Sequence, residues 1–239
     1  MYFITLKKQD LLYWCVTLLL LVVFITLNTY IGTADVFLNK NTKRKLPIYS
    51  VETNEKKLAI SFDAAWGADK TDELIDILKG NEIKATFFLV GFWAEKYSGK
   101  VEKLDQNGFE IGTHSNTHPK MTDLSQTRMQ LELETSCNIL QNITGKKPQI
   151  FRPPFGAYNN KLIETADDLG LKTIQWDVDS LDWKNLTAQD IAKRVISNAK
   201  NGSIILMHNN GENTPQALRL IILGLKNKGF EFVCVSELI

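Results

Sequence analysis

The sequence predicts an α/β fold, a distorted (β/α)7-like barrel of parallel strands preceded by an N-terminal transmembrane helix. Three observations lead there. From Lys57 onward, apolar runs of strand length alternate with stretches of helical spacing. Polar and ionisable residues collect directly after five of those runs. The stretch Leu11 to Ile31 carries no charged side chain.

That stretch comes first in the chain. It contains Leu18-Leu19-Leu20-Leu21-Val22-Val23-Phe24-Ile25 and is long enough to span a hydrocarbon core of about 30 Å as a helix. Lys7 and Lys8 precede it, and Lys40, Lys43, Arg44 and Lys45 follow it. The short N-terminal flank needs the least work to stay inside, so residues 1–10 read as a cytoplasmic stub and 11–31 as a single-pass anchor. A cleaved signal peptide competes, because Gly32-Thr33-Ala34 offers small residues at a cleavage site. Signal-peptide apolar regions are usually shorter, which favours the anchor. In either case the folded part lies outside the cytoplasm, at the cell membrane or secreted.

Residues 32–56 read as a polar linker with a short edge strand at Ile48 to Val51. Strands are then expected at 58–62, 86–90, 109–111, 149–151, 171–176, 203–207 and 230–235. Leu74, Ile75, Ile77 and Leu78 define one helical face, and Leu131, Leu133, Ile139, Leu140 and Ile143 a longer one. Further helices fall at about 161–169, 188–199 and 215–226. Gly170, Gly202 and Gly229 lie between helix and strand, where a left-handed cap residue is useful. Strands joined through helices run parallel with right-handed crossovers, and seven such units either curl into a barrel or form an open sheet. Polar residues at five separate strand ends favour the barrel, whose chemistry sits at the carboxyl-end mouth. Residues 57–239 are the catalytic-domain candidate.

Composition narrows the function. Twenty-eight basic against 27 acidic residues give a net charge of +1, which argues against a nucleic-acid partner. Cys15 lies in the apolar stretch, and Cys137 and Cys234 are too few for a disulfide framework. The chain has three histidines. His114 and His118 stand four apart after Phe109-Glu110-Ile111, and His208 follows Ser203 to Met207. Neutral imidazoles at that spacing can converge on one cation such as Zn²⁺, although a lone H-x₃-H also serves bland surface or capping roles.

The strand-end segments are Ser61-Phe62-Asp63-Ala64-Ala65-Trp66-Gly67, Thr113 to His118, Phe151-Arg152-Pro153-Pro154-Phe155-Gly156, Asp179-Ser180-Leu181-Asp182-Trp183 and Leu206-Met207-His208. In that order they resemble the five motifs of NodB-type polysaccharide deacetylases, over about residues 55–239. The anchored single-domain layout and the Asp63-Ala64-Ala65-Trp66-Gly67 version of the first motif look most like the sporulation-associated branch in Gram-positive spore formers. The resemblance implies removal of acetyl groups from cell-wall polysaccharide by a metal-dependent hydrolase, with Zn²⁺ first and Co²⁺ or Mn²⁺ as alternatives. It implies metal binding by His114 and His118, a base at Asp63 held ionised by Arg152, and an acid at His208 kept protonated by Asp182 or Asp179. Backbone N–H groups around Phe155 would serve an oxyanion, and Trp183 and Leu206 would wall the acetyl pocket; as plain residues, the last two read equally as core.

One position departs from the family pattern. Ala64 stands where the family usually carries a second aspartate, the third metal ligand, and a methyl group cannot coordinate. Asp69 or Asp72 could supply the missing oxygen, though Asp69 also reads as a helix N-cap and Asp72 as a first-turn residue. Two functions follow: an extracytoplasmic N-deacetylase, or a catalytically silent glycan-binding protein of the same fold. A two-metal phosphoesterase fits poorly, because the sequence lacks the further Asp, Asn and His ligands such a site requires.

Overall fold

The computed structural model describes residues 8–39, 43–184 and 186–239, in two compact units divided after Arg44. In the first unit, helix α1 (Lys8–Asn39) runs through the apolar stretch and on through residues expected to be linker. Residues 1–7 of the expected stub and 40–42 of the expected linker lie outside the described residues. Among the described residues no helix is long and apolar enough to cross a membrane. The span expected over 11–31 is therefore not found among the described residues.

The second unit begins at Lys45, earlier than the boundary expected at 57. It is built on a curled sheet of eight strands: β1 (Lys57–Ala64), β2 (Thr86–Leu89), β3 (Glu110–Thr113), β4 (Ile150–Phe151), β5 (Lys172–Thr173), β6 (Val178–Asp179), β7 (Ile204–His208) and β8 (Glu231–Val233). All pair in parallel in the order β5-β4-β3-β2-β1-β7-β6, with β8 against the start of β1. The strand expected over 171–176 splits in two. Lys172 and Thr173 stay with β4, Ile174 pairs with Ile48, and Val178 and Asp179 join β7 as a strand of their own.

The curl is a half-barrel rather than a closed barrel, because β5 and β6 do not pair with each other. The short edge strand expected at 48–51 bridges that opening, through two isolated pairings. Ile48 bridges Ile174 in parallel and Ser50 bridges Ser203 antiparallel, with Gln175 N–H donating to Ile48 O at 2.7 Å and Val51 N–H to Gly202 O at 2.9 Å. Gly202 is obligatory there: its φ is +75°, and a Cβ would stand 1.8 Å from Val51 O.

Helices cover the outer face: α2 (Thr71–Gly80), α3 (Gly91–Lys96), α4 (Ser98–Gln106), α5 (Gln126–Thr144), α6 (Asn160–Asp168), α7 (Ala188–Asn198) and α8 (Thr214–Asn227), while α9 (Val235–Leu238) packs through Val235 and Leu238 on the cluster that contains Ala59 and Ile204. The pair α3–α4 gave no periodic signal, being two short pieces broken at Tyr97. Along β1 the period of two divides two cores. Leu58, Ile60, Phe62 and Ala64 belong to the helix-facing cluster with Leu74, Ile75, Leu218 and Ile221. Ala59 joins Phe88, Ile150, Ile174 and Ile204 in the smaller cluster inside the curl. Ser61 and Asp63 share the parity of Ala59, so the carboxyl end of β1 delivers Asp63 inward and leaves Ala64 with the helix-side set.

Candidate active site

The carboxyl ends of β1, β3, β4 and β7 and the turn after β6 place Asp63, His114, His118, Arg152, Asp182 and His208 around one cleft of about 800 Å³. Arg152 lies behind the cleft wall, beneath Asp63. Fully buried, it donates from Nη1 to Asp63 Oδ1 at 2.8 Å and from Nη2 to Ser61 Oγ at 2.9 Å and Gln175 O at 3.1 Å. Its guanidinium lies 4.1 Å from the Phe88 ring centre, which offers the cation an aromatic face in place of water. Burial by itself would raise the Asp63 pKa, but Arg152 foremost, then His114 and His208, hold it below the ordinary carboxylate value.

His114 is nearly buried, and its Nδ1 stands 2.6 Å from Arg152 O. A carbonyl can only accept, so Nδ1 carries the proton and Nε2 of the neutral ring carries a lone pair. That lone pair faces Asp63 Oδ2 at 3.5 Å. Burial lowers the His114 pKa, and it lowers that of His118 to about 4, with the neighbouring His114 adding to the effect. His118 packs edge-on against His114, Trp66 and Phe155 at ring separations of 4.9, 4.6 and 4.7 Å. Its buried Nδ1 has no hydrogen-bond partner.

Two neutral imidazoles, an orphaned ring nitrogen and a lone pair facing a carboxylate make a place for positive charge, and the donor types suit a divalent ion such as Zn²⁺. The protein supplies two imidazoles for it. Among the described residues no group of three His, Cys, Asp or Glu side chains could hold a metal. Ala64 is fully buried and coordinates nothing. Neither proposed substitute helps: Asp72 pairs with Lys100 and, at 3.0 Å, with Lys103. Asp69 offers its backbone N–H to Asn210, and the residue capping α2 is Lys70.

Across the cleft, His208 Nδ1 stands 2.8 Å from Asp182 Oδ1, while Asp182 Oδ2 accepts from His208 N–H at 2.8 Å and Thr214 Oγ1 at 2.7 Å. Burial works against the charged ring, yet the Asp182 carboxylate outweighs it and raises the His208 pKa. Of the two candidate carboxylates, Asp182 is the partner; Asp179 Oδ1 accepts from Leu181 N–H at 2.9 Å within its own turn. Phe155 (φ 60°, ψ 10°) and Trp183 are exposed at the cleft wall, and Leu206 is buried in it.

Several contributors were not read from the sequence. Ser61 could have been, since it lies two residues before Asp63 and must share its face. Gln175, Thr214 and Trp176 reach the cleft only through tertiary placement.

With fold and geometry in hand, comparison with known proteins defines the class. The profile of the family "Polysaccharide deacetylase" matches residues 50–174, and the chain belongs to that family. It is 33% identical over 192 residues to the uncharacterized protein YlxY of Bacillus subtilis, covering 80% of this chain and 60% of YlxY. It is 34% identical over 194 residues to the peptidoglycan-N-acetylglucosamine deacetylase PgdA of Listeria monocytogenes, covering 81% of this chain and 41% of PgdA. The chain thus spans about half the length of these curated relatives. Among solved structures it is similar to wild-type BA3943 of Bacillus anthracis, described as a CE4 family pseudoenzyme, with a TM-score of 0.78, 33% identity and coverage of 81% of this chain and 68% of that one. A mutant of BA3943 is described as having restored enzymatic activity.

Proposed function

We propose that the protein is a metal-dependent N-deacetylase of cell-wall glycan acting outside the cytoplasm. One observation carries the reading: an ionised carboxylate and a protonatable imidazole, each held by its own buried partner, face one cleft beside two neutral imidazoles. A divalent ion held by His114 and His118 would polarise the amide carbonyl and acidify a water molecule. Asp63, kept ionised by Arg152, takes the proton from the attacking water. His208, kept charged by Asp182, gives a proton to the departing amine, without which the C–N bond does not break. Phe155 and Trp183 offer exposed aromatic faces to sugar rings, and Leu206 backs the acetyl methyl. Relatives named peptidoglycan deacetylases support peptidoglycan as the substrate class. The Ala64 form of the first motif supports a role in sporulation, and the apolar stretch within α1 supports tethering at the membrane, with secretion as the alternative.

A second reading is favoured by Ala64 and by the likeness to a pseudoenzyme: a protein that holds glycan in this cleft without turnover. Acetate release from peptidoglycan fragments and chitin oligomers, at saturating Zn²⁺ or Co²⁺, separates the two. Turnover by the parent that is lost in Asp63→Asn is the expected result. A parent indistinguishable from Asp63→Asn that still retains glycan would replace the enzymatic reading with the binding one.

A further inference from the structure

The chain from His114 to His118 does not adopt its shape by preference. Ser115 and His118 both have left-handed backbones, with φ of 68° and 57°, a conformation that non-glycine residues keep only when their surroundings hold them in it. Within the segment, Ser115 Oγ accepts from His118 N–H at 3.0 Å. From outside, one side chain grips its middle. Glu132 of α5, 6% exposed, accepts through Oε2 from Asn116 N–H at 2.9 Å and Thr117 N–H at 2.8 Å, and through Oε1 from Thr117 Oγ1 at 2.7 Å. Consecutive backbone N–H groups converging on a carboxylate form an anion nest, and hydrogen bonds to an ionised acceptor are the strong kind.

We propose that Glu132 is the positioning residue of the histidine pair, clamping residues 116 and 117 so that the two imidazole rings are held edge to face at 4.9 Å. The inference rests on the reading of that pair as a cation site. Glu132 touches neither imidazole; it acts through the intervening backbone. An apolar residue there would leave two inward N–H groups and a hydroxyl unpaired, and the segment would relax out of its left-handed turns.

The test uses the full chain, whose three histidines make ring ¹H–¹⁵N spectra simple. Without metal, Glu132→Ala should move the ring signals of His114 and His118 and leave those of His208 in place. Glu132→Gln, which keeps an oxygen for both N–H groups, should restore them. Co²⁺ affinity, read from its visible absorption, should fall about ten- to a hundredfold in the Ala variant and far less in the Gln variant. If Glu132→Ala does not fold, Thr117→Val removes one of the three bonds and should shift the same two rings. Unmoved His114 and His118 rings, or equal movement of all three, would overturn the proposal. A parent that binds no Co²⁺ would refute the cation site, while the metal-free spectra still decide the positioning.

Discussion

Cutting the Asp63–Arg152 pair should destabilise the domain far more than cutting any ion pair on its surface. Arg152 is fully buried and the Asp63 side chain is 8% exposed, at 2.8 Å from Nη1. Arg152 Nε already lacks a partner. In Asp63→Ala a second guanidinium N–H group loses its protein acceptor, and removing one member of a buried pair costs about 3–5 kcal/mol. Arg152→Leu strands the carboxylate at similar cost. The double variant should cost no more than either single, because a buried pair replaced by apolar side chains is often close to neutral, and the coupling in the cycle should be about 3 kcal/mol. Urea denaturation at neutral pH measures it: with a slope of about 2–3 kcal/mol/M, each single variant should lose about 1–2 M in midpoint. Lys146–Asp105, whose lysine is 73% exposed, is the control and should contribute about 0–1 kcal/mol. The folded Asp63 pKa lies below the unfolded one, so the pair's contribution is present above about pH 4 and disappears as pH falls through the folded value. Single variants costing under about 1 kcal/mol, with additive effects, would mean that water reaches the pair and that Arg152 does not hold Asp63 as described.

The His208 pKa is raised by Asp182 against the opposing effect of burial, so this contact stabilises the fold fully below about pH 6.5 and is lost as pH rises through the folded value. Asp182→Asn should accordingly move the alkaline limb of the rate profile to lower pH, and an unmoved limb would remove His208 as the acid. Ala64→Asp puts an unpaired carboxylate into a fully buried position; without metal it should lower the melting temperature by several degrees, and added Zn²⁺ should raise it by more than it raises the parent's. Equal Zn²⁺ shifts in parent and variant would show that residue 64 does not reach the imidazoles. Gly112→Ala should cost about 1–3 kcal/mol in urea denaturation, since its Cβ would stand 2.7 Å from the Phe88 ring and 2.8 Å from Ile150; an unchanged midpoint would mean that the inner core yields.

What the sequence determined by itself was the set of strand ends and the chemistry they carry. Asp63, His114, His118, Arg152 and His208 each follow an apolar run, and parallel strands joined by helices bring such ends to one side whatever the details of packing. Local periodicity also located β1 to β4, β7 and β8 and the helices α2 and α5 to α8, because burial on one face writes itself into spacing. Tertiary structure decided the remainder. A two-residue strand such as β5 or β6 carries no period, so the split of 171–176 and the opening it leaves in the curl were invisible. The segment at 48–51 reads as a short edge strand, but its partners, Ile174 and Ser203 on the two sides of the opening, follow only from the tertiary structure. Asp182 rather than Asp179 became the partner of His208 through the direction of a turn at Leu181, which has a left-handed backbone with φ of 56°. Glu132, on a helical face otherwise read for its leucines, meets the histidine loop only because α5 packs beside it. Those contacts depend on where the chain goes between elements, and side-chain patterning within an element does not record it.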